Sequence, residues 1–248
     1  MIITKTPEVS VITTAYNHQG TLQRAIDSVE MQRDINYEHI VIDDTNTKNG
    51  MMYTYGEAFK KCKGQYIAFC DGDDYWMNRY KLKRQVEYMN NHLECGLCIT
   101  KVYDKKGNKI YRMISAFHVN KNMSFDSLLR GNACIHAQSY MIRKSDFDKY
   151  IDFDMFVEKF ALWDYPIVLE LIRHVNFYCL PFYSAVNVIN DESVTHTMNR
   201  VKRIRYLKDQ YKVKWYYIRK YGCKFSTMIY LIYRAIRHIY STGVKRWT

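Results

Sequence analysis

The sequence has 248 residues, of which 48% are hydrophobic, and it carries a formal net charge of +12. This composition, with only 3 Pro and 10 Gly, excludes an intrinsically disordered or fibrous chain. The charge is uneven, because residues 1–199 hold 23 basic and 24 acidic residues, whereas residues 200–248 hold 14 basic residues and the single acid Asp209. We therefore expect two units, a nearly neutral body over residues 1–198 and a cationic tail over residues 199–248.

Targeting signals and membrane spans are not evident in the sequence. The first residues lack the basic and apolar regions of a secretory signal peptide, and Arg234 and Arg237 interrupt the longest apolar stretch, at 225–240. The seven cysteines lack disulfide-framework spacing. Cys95 and Cys98 form a lone CxxC ahead of a strand-like segment, which favours two buried packing residues over a zinc or redox site. These features predict a cytoplasmic protein with reduced thiols.

The first hundred residues alternate between two hydrophobic periods. Apolar and β-branched runs predict buried strands at 9–14, 37–42 and 65–70. Apolar residues at helical spacing predict helices at 22–29, 57–63 and 82–93. Strands that alternate with helices at this spacing indicate βαβ units, and hence a mostly parallel sheet.

The remainder of the chain mixes strand and helix signals. Residues 96–143 are rich in strand signals, with a hairpin turn predicted at 105–108. A helix is predicted at 163–174 and a strand at 177–189. From residue 199 the pattern predicts two basic, aromatic-rich helices that are broken near Tyr221 and Gly222.

Acidic residues follow two of the early strands. Asp43 and Asp44 end the second strand, and Asp71, Asp73 and Asp74 follow the third. Ligands of open α/β sheets bind at the carboxyl ends of the strands, and the chain has no Gly-rich phosphate loop. Carboxylates bind phosphates through a divalent cation, so this edge suits Mg²⁺ or Mn²⁺. The alternative is that each acid forms an Asx-turn or caps a helix.

Four segments in order resemble family 2 glycosyltransferases over residues 8–196. They are residues 9–17 (VSVITTAYN), 40–44 (IVIDD), 63–76 (KGQYIAFCDGDDYW) and 163–171 (WDYPIVLEL). The resemblance implies a GT-A fold, that is, a Rossmann-like α/β fold with a mostly parallel sheet flanked by helices. Residues 1–198 would form this domain, and residues 199–248 would be a C-terminal basic helical extension.

The resemblance also implies a nucleotide-binding role for several side chains. Thr14 and Tyr16 match positions that line the nucleoside pocket, although Tyr16 also suits a core aromatic position. Asp44 matches an acceptor for the uracil N–H, which favours a UDP-sugar donor. Asp73 matches the acid of the DxD motif that binds Mn²⁺ or Mg²⁺, and Asp71 is expected to contact ribose or the metal.

A single catalytic base is implied by the same resemblance. Asp164 matches this base in an inverting transfer, and its alternative role is to cap the helix that follows. Asp74 is expected to orient the site. Asn132 and His136 fall in the acceptor region. The expected acceptor is a glycan or lipid-linked glycan of surface-polysaccharide synthesis, and a non-catalytic relative or a sugar nucleotidyltransferase remain the alternatives.

Two segments depart from the family pattern. Only 26 residues separate Asp44 from Asp71, so a helix and a strand that relatives have are missing and the nucleotide pocket is expected to be more open. The missing strand would lie at a sheet edge. Asn187 and Asn190 stand near positions where relatives have Tyr, Arg and His, and His196 is expected to be a surface residue.

The tail combines basic residues with one apolar stripe at helical spacing. The stripe consists of Ile229, Ile232, Tyr233, Ile236 and Tyr240. Three interpretations remain open: an anionic membrane surface, packing on the catalytic body, and binding of nucleic acid or another polyanion. A membrane surface is favoured and nucleic acid is disfavoured, because no nucleic-acid-binding motif accompanies the tail. We therefore expect a cytoplasmic enzyme that is peripheral at the inner face of the membrane.

Overall fold

The computed structural model describes residues 6–15, 20–43, 50–112, 123–131, 135–189 and 200–243. The first half of the described chain alternates between strands and helices. Its elements are β1 (Val9–Ala15), α1 (Leu22–Glu30), β2 (Tyr37–Asp43), α2 (Gly50–Lys61), β3 (Tyr66–Phe69), β4 (Tyr75–Trp76), α3 (Lys81–Asn91), β5 (Cys95–Lys106) and β6 (Lys109–Arg112).

The second half contains shorter helices, a long strand and two long terminal helices. Its elements are α4 (Phe125–Arg130), a 3₁₀ helix (Ala137–Ser139), β7 (Met141–Arg143), α5 (Lys144–Tyr150), α6 (Phe153–Lys159), α7 (Asp164–Leu171), β8 (Asn176–Ile189), α8 (Arg200–Tyr221) and α9 (Phe225–Gly243). The α/β fold with a C-terminal helical extension is confirmed.

Seven strands of the described chain form a sheet in the order β2-β1-β3-β7-β5-β8-β4, and β6 pairs with β5. β1 is parallel to both β2 and β3, as the alternating pattern predicts. β7 and β4 run antiparallel to their neighbours, so the sheet as a whole is mixed. The sequence pattern did not indicate these two short strands, and antiparallel pairing needs no helical crossover between strands.

β2 lies at one edge of the sheet among the described residues. This position agrees with the expectation that a strand missing from the short interval before Asp71 would belong to a sheet edge.

The helix predicted at 57–63 begins earlier than expected, since α2 starts at Gly50. Residues from Gly50 to Tyr55, in the short interval between Asp44 and Asp71, therefore belong to a helix that covers the sheet.

Three short helices, α4, α5 and α6, were not predicted. α4 is delimited by local capping rather than by apolar periodicity: Ser124 and Ser127 form a capping box, and Gly131 ends the helix with a positive φ of 73°. α5 and α6 have seven residues each, which is too short for a clear helical period. The expectation that strands dominate residues 96–143 is therefore wrong for α4.

Apolar side chains cover both faces of the sheet. Successive residues of β1 alternate between the two faces, with Val11 on one side and Ile12 on the other, and both are fully buried. This two-sided burial explains why β1 reads as a continuous apolar run. On the Ile12 side, aromatic rings pack under the acidic loop, including Tyr55, Phe69 and Trp163.

The terminal helices pack against the catalytic body. Val213 and Tyr217 of α8 are buried in the main core, and the Tyr217 hydroxyl donates a 2.9 Å hydrogen bond to the Pro166 carbonyl of α7. Lys220 of α8 pairs with the buried Glu170 of α7 at 2.9 Å. None of the helices in the described ranges has both the length and the apolar character needed to cross a bilayer.

Cys95 and Cys98 are buried free thiols at the start of β5. Cys98 packs with the apolar side chains of one sheet face, including Met141. The prediction of packing cysteines in a strand is therefore confirmed for this pair.

Lys81, the first residue of α3, is a fully buried cation. Its ammonium lies 4.3 Å from the centre of the Trp76 ring and donates a 2.8 Å hydrogen bond to Gln85 Oε1. Burial lowers the pKa of Lys81 from 10.5 to about 7. The unfolded chain therefore binds more protons between these two values, and the protein gains stability as pH rises through this window.

We expect Lys81→Met to change the pH dependence of unfolding. Methionine removes the buried charge but leaves Gln85 Oε1 without its donor, a cost of about 1–3 kcal/mol at every pH. The melting temperature of the variant minus that of wild type should therefore be highest near or below about pH 7. This difference should fall as pH rises toward about pH 10, because only wild type gains stability in this window. Thermal unfolding by circular dichroism across this range checks the trend. A pH-independent difference would show that Lys81 does not titrate as described.

Candidate active site

The acidic loop after β3 is held tightly against the end of β1. The Gly72 N–H donates a 2.9 Å hydrogen bond to the Thr14 carbonyl, and the Asp74 N–H donates to the Asp71 carbonyl at 3.0 Å. A Cβ at Gly72 would lie 3.0 Å from the Thr14 carbonyl oxygen and 3.1 Å from Ala15 Cβ. Glycine therefore permits the close approach that places Asp71 and Asp73 beside the carboxyl end of β1.

Side chains near the start of α1 fix the carbonyls of this loop. Thr21 Oγ1 donates to the Gly72 carbonyl at 2.7 Å, and Arg24 Nη2 donates to the Asp73 carbonyl at 2.6 Å. On the opposite side, the buried Asp74 carboxylate accepts the Val188 N–H at 2.8 Å. Asp74 thus ties the loop to β8, as expected for a residue that orients the site. The Asp71 and Asp73 side chains remain partly exposed.

A hydrogen-bond chain joins β1, α2 and the acidic loop. Thr14 Oγ1 donates to the Tyr55 hydroxyl at 3.1 Å, and that hydroxyl donates in turn to Asp71 Oδ1. The Tyr55 ring is fully buried and stacks on Trp163 with centroids 3.8 Å apart. Because Trp163 immediately precedes Asp164, one aromatic stack connects Asp71 with the candidate base.

Asp164 is the first residue of α7, and Trp163 occupies the N-cap position. The alternative role of Asp164 as the N-cap is therefore wrong. Its Oδ1 instead accepts the Tyr165 N–H at 2.7 Å. The positive end of the helix dipole favours a negative charge here, whereas burial raises the pKa of the Asp164 carboxyl. The carboxylate is partly exposed and retains further acceptor capacity.

The charges of Asp73 and Asp164 both act on the Asp71 carboxyl. Burial, followed by repulsion from Asp73 and Asp164, raises the pKa of Asp71 to about 7, and the Tyr55 hydrogen bond opposes this rise. Burial and the charges of Asp164 and Asp71 also raise the pKa of the Tyr140 phenol. The structure thus brings together Asp71, Asp73 and Asp164, with Tyr140 beside them.

The donor set fits a divalent cation that is shared with a substrate. No three His, Cys, Asp or Glu side chains converge into a closed metal site within the described residues. Asp71 and Asp73 offer carboxylate oxygens, and Mg²⁺ is commonly held by one or two carboxylates plus phosphate oxygens. The Tyr140 hydroxyl is buried and has no hydrogen-bond partner among the described residues, so a polar group is available beside the acids.

Several residues predicted for the site lie outside the described residues. They are Tyr16, Asp44 and Asn132. Asn190 and His196, from the segment that departs from the family pattern, also lie outside the described residues. His136 is described: it is partly exposed and immediately precedes the 3₁₀ helix that leads to Tyr140. The roles assigned to these residues stay predictions.

Sequence reasoning did not identify Tyr55, Tyr140, Trp163 or Arg24 as parts of the site. Apolar spacing across Tyr55, Ala58, Phe59 and Cys62 was a usable signal that α2 begins before residue 57. The spatial neighbours of the Tyr55 hydroxyl depend on contacts across the fold, so no local signal identified them.

A family model described as Glycosyl transferase family 2 matches residues 10–51 and 45–151. The putative teichuronic acid biosynthesis glycosyltransferase TuaG of Bacillus subtilis is 26% identical over 55% of this chain and 62% of its own length. The Escherichia coli UDP-Glc:alpha-D-GlcNAc-diphosphoundecaprenol beta-1,3-glucosyltransferase WfaP is 31% identical over 38% of this chain and 50% of its own length. An uncharacterized Mycobacterium tuberculosis protein, Rv1520, is 26% identical over 36% of this chain and 34% of its own. The chain thus spans less than two thirds of these relatives.

Solved glycosyltransferase structures share the fold. A Staphylococcus aureus TarS fragment in complex with UDP-GlcNAc superposes with a TM-score of 0.61 at 14% identity, covering 82% of this chain and 67% of that one. The mannosyltransferase PcManGT of Pyrobaculum calidifontis, in complex with GDP-Man and Mn²⁺, superposes with a TM-score of 0.55 at 13% identity, covering 84% and 64%. At these identities the likeness establishes the GT-A fold.

Proposed function

The chain belongs to glycosyl transferase family 2, and on this premise we propose that it moves a sugar from a UDP-sugar to a glycan or lipid-linked glycan with inversion at the anomeric carbon. The observation that carries the proposal is that Asp71 feels the charges of both Asp73 and Asp164, and that Tyr55, its hydrogen-bond donor, stacks on Trp163 next to Asp164. The proposal assigns Asp71 and Asp73 to the cation that would bind the donor diphosphate, and Asp164 to the proton of the acceptor hydroxyl.

The donor proposal rests on the ends of β1 and β3. Thr14 and Asp71 are joined through Tyr55, so the nucleoside side of the cleft is pre-organised by buried contacts. TarS was solved with UDP-GlcNAc, and the name of WfaP specifies UDP-Glc, whereas PcManGT was solved with GDP-Man. Asp44 is the residue we assign to the uracil N–H, and Tyr16 is assigned to the base.

The proposed chemistry uses one base. Asp164 would accept the proton of the acceptor hydroxyl as that oxygen attacks the anomeric carbon and the nucleoside diphosphate leaves from the opposite face. The Tyr165 N–H holds Asp164 Oδ1, so the other carboxylate oxygen would be the one that accepts the proton. Asn132 and His136 are proposed to contact the acceptor.

A divalent cation, Mn²⁺ or Mg²⁺, would be held by Asp73 together with Asp71. When bound, it neutralises charge that develops on the leaving diphosphate. The chain's own contribution is to fix the loop: Arg24 and Thr21 hold its carbonyls, so both carboxylates are pre-positioned for the cation. PcManGT, a neighbour by fold, was solved with Mn²⁺.

The acceptor proposal comes from relatives. The name of WfaP specifies a diphosphoundecaprenol-linked acceptor, and TuaG is a putative enzyme of teichuronic acid biosynthesis. We accordingly propose surface-polysaccharide synthesis on a lipid-linked acceptor, at the cytoplasmic face of a membrane.

Purified protein should be incubated with a panel of UDP- and GDP-sugars, and release of the nucleoside diphosphate should be measured with Mn²⁺ or with a chelator. We expect slow Mn²⁺-dependent release of UDP from at least one UDP-sugar, because water replaces the acceptor. Release from GDP-sugars alone would contradict the donor assignment. Absence of release from every donor, with and without lipid-linked acceptors, would contradict the transferase proposal.

Tyr55→Phe should weaken use of the donor without unfolding the protein. Phenylalanine keeps the stack on Trp163 but removes the hydroxyl that donates to Asp71. A hydrogen bond to a charged group contributes about 1.5–3 kcal/mol, so we expect the donor KM or the apparent Mn²⁺ requirement to rise by roughly tenfold or more. Steady-state UDP release measures both. Tyr53→Phe, at an exposed position of the same helix, is the matched control and should behave as wild type.

A further inference from the structure

One face of α9 presents a row of large apolar side chains to solvent. The exposed fractions are 81% for Phe225, 52% for Ile229, 48% for Ile232, 54% for Tyr233 and 47% for Ile236. Their spacing of i, i+4, i+7, i+8 and i+11 places all five on one side of the helix. We call these five residues the apolar stripe. Tyr240, which the sequence assigned to the same row, has a side chain outside the described residues.

The opposite face of α9 attaches the helix to the body. Thr227 and Leu231 are buried there. Arg130, at the end of α4, donates through Nε to Thr227 Oγ1 at 2.9 Å. The Lys224 N–H, just before α9, donates to the Asp126 carboxylate at 2.9 Å. The interpretation that the apolar stripe itself packs on the catalytic body is therefore wrong for Phe225, Ile229, Ile232, Tyr233 and Ile236, since other residues make that contact.

The tail that carries the apolar stripe is strongly cationic. Residues 200–243 contain 12 Lys and Arg and the single acid Asp209. Arg234 and Arg237 of α9 are exposed, and the Arg237 guanidinium lies 5.9 Å from the centre of the Tyr233 ring. Arg237 thus borders the stripe on one side, whereas Arg234 lies on the side of α9 that faces Tyr211 and Lys214 of α8. An apolar stripe on a cationic helix is typical of helices that lie in a membrane interface.

We propose that the apolar stripe of α9 inserts into the headgroup region of an anionic lipid bilayer. The row of isoleucines supplies apolar area that leaves water, and Tyr233 suits the boundary between hydrocarbon and headgroups. Arg237 beside the stripe, together with the net positive charge of the tail, would meet the negative surface potential of anionic lipids. A second protein copy would bring the same cationic surface against itself, so charge complementarity favours lipid.

The packing of α9 links this surface to the candidate base. α9 is anchored on α4, and the Leu128 carbonyl of α4 accepts a 3.0 Å hydrogen bond from the Tyr165 hydroxyl, next to Asp164. A bilayer-bound α9 would therefore hold the Asp164 side of the cleft in a fixed relation to the membrane. This consequence rests on the proposed function, because it matters for a lipid-linked acceptor, whereas bilayer binding itself does not depend on catalysis.

The test is sedimentation of the full chain with vesicles of phosphatidylglycerol and phosphatidylcholine, compared with phosphatidylcholine alone. Wild type should bind the anionic vesicles, and Ile232→Asp/Ile236→Asp should reduce the partition coefficient by about tenfold or more. Leu93→Asp/Ile110→Asp is the matched control, because both residues are exposed apolar side chains of the body, and it should bind as wild type. Circular dichroism melting verifies that each variant is folded.

A second variant separates charge from insertion. Arg234→Gln/Arg237→Gln should lower binding to anionic vesicles by roughly tenfold to thirtyfold, with a weaker salt dependence than wild type. The proposal is overturned if wild type does not bind anionic vesicles, or if the isoleucine variant binds as wild type does. It is also overturned if wild type is a lipid-free dimer that the isoleucine variant converts to a monomer, because the stripe would then cover a second copy.

Discussion

Asp164→Asn is expected to reduce sugar transfer by about 10²–10⁴-fold while leaving donor binding nearly unchanged. The amide preserves the size of the side chain and can still accept the Tyr165 N–H at its oxygen. It cannot take a proton from an acceptor hydroxyl, however, so the chemical step loses its base. The turnover rate with acceptor should therefore fall, whereas the affinity for UDP in the presence of Mn²⁺ should stay nearly unchanged.

The matched control for this variant is Asp154→Asn. Asp154 lies in the first turn of α6, as Asp164 lies in the first turn of α7, but its side chain is exposed. Turnover by stopped enzyme assays and UDP affinity by calorimetry give the two readouts. An Asp164→Asn enzyme that keeps turnover within about threefold of wild type would contradict the assignment of the base, since general acid–base catalysis contributes far more.

Asp73→Asn is expected to abolish the Mn²⁺-dependent part of donor binding, and with it transfer. The Asp73 backbone carbonyl is held by Arg24, so the substitution should leave the loop in place while removing a charged metal ligand. Loss of one of two carboxylates from an open metal site should reduce transfer by about 10²-fold or more, because charge on the leaving diphosphate is no longer neutralised.

Calorimetric titration of UDP into Asp73→Asn, with and without Mn²⁺, measures this effect directly. Asp27→Asn, at an exposed position of α1, removes the same charge and serves as the control. If Asp73→Asn retains a Mn²⁺-dependent increase in UDP affinity equal to that of wild type, Asp73 is not the metal ligand.

Local sequence signals predicted the parts of the fold that bear the acids of the candidate site. β1 and β3 were predictable because both of their faces are buried, which leaves continuous β-branched and apolar runs. β2 lies at the sheet edge and is only partly buried, and the apolar residues Ile40, Val41 and Ile42 indicated it. The acids that follow the second and third strands were assigned to a ligand site because ligands bind beyond the carboxyl ends of parallel strands. The break between α8 and α9 was likewise predicted from Gly222, which has a positive φ of 72°.

Contacts between distant segments were not predictable in this way. Tyr55 reaches Asp71 and Thr14 only because α2 packs over the ends of β1 and β3, and no residue adjacent to Tyr55 in sequence indicates this. Which face of α9 is exposed also could not be predicted from local sequence. Helical spacing predicted the apolar stripe, but burial of Thr227 and Leu231 on the opposite face decides which side meets the body.

We propose that this chain has a metal-dependent site for a uridine diphosphate group. The most direct test is the melting temperature of wild type with UDP and Mn²⁺ together, compared with each alone. Saturation to one hundred times Kd would stabilise the fold by about 2.7 kcal/mol, equivalent to roughly 5–10 °C for a chain of this size. We predict that the melting temperature of wild type rises by this amount when both ligands are present. The melting temperature of Asp73→Asn should not rise in this way. Equal melting temperatures with and without millimolar UDP and Mn²⁺ would contradict the claim.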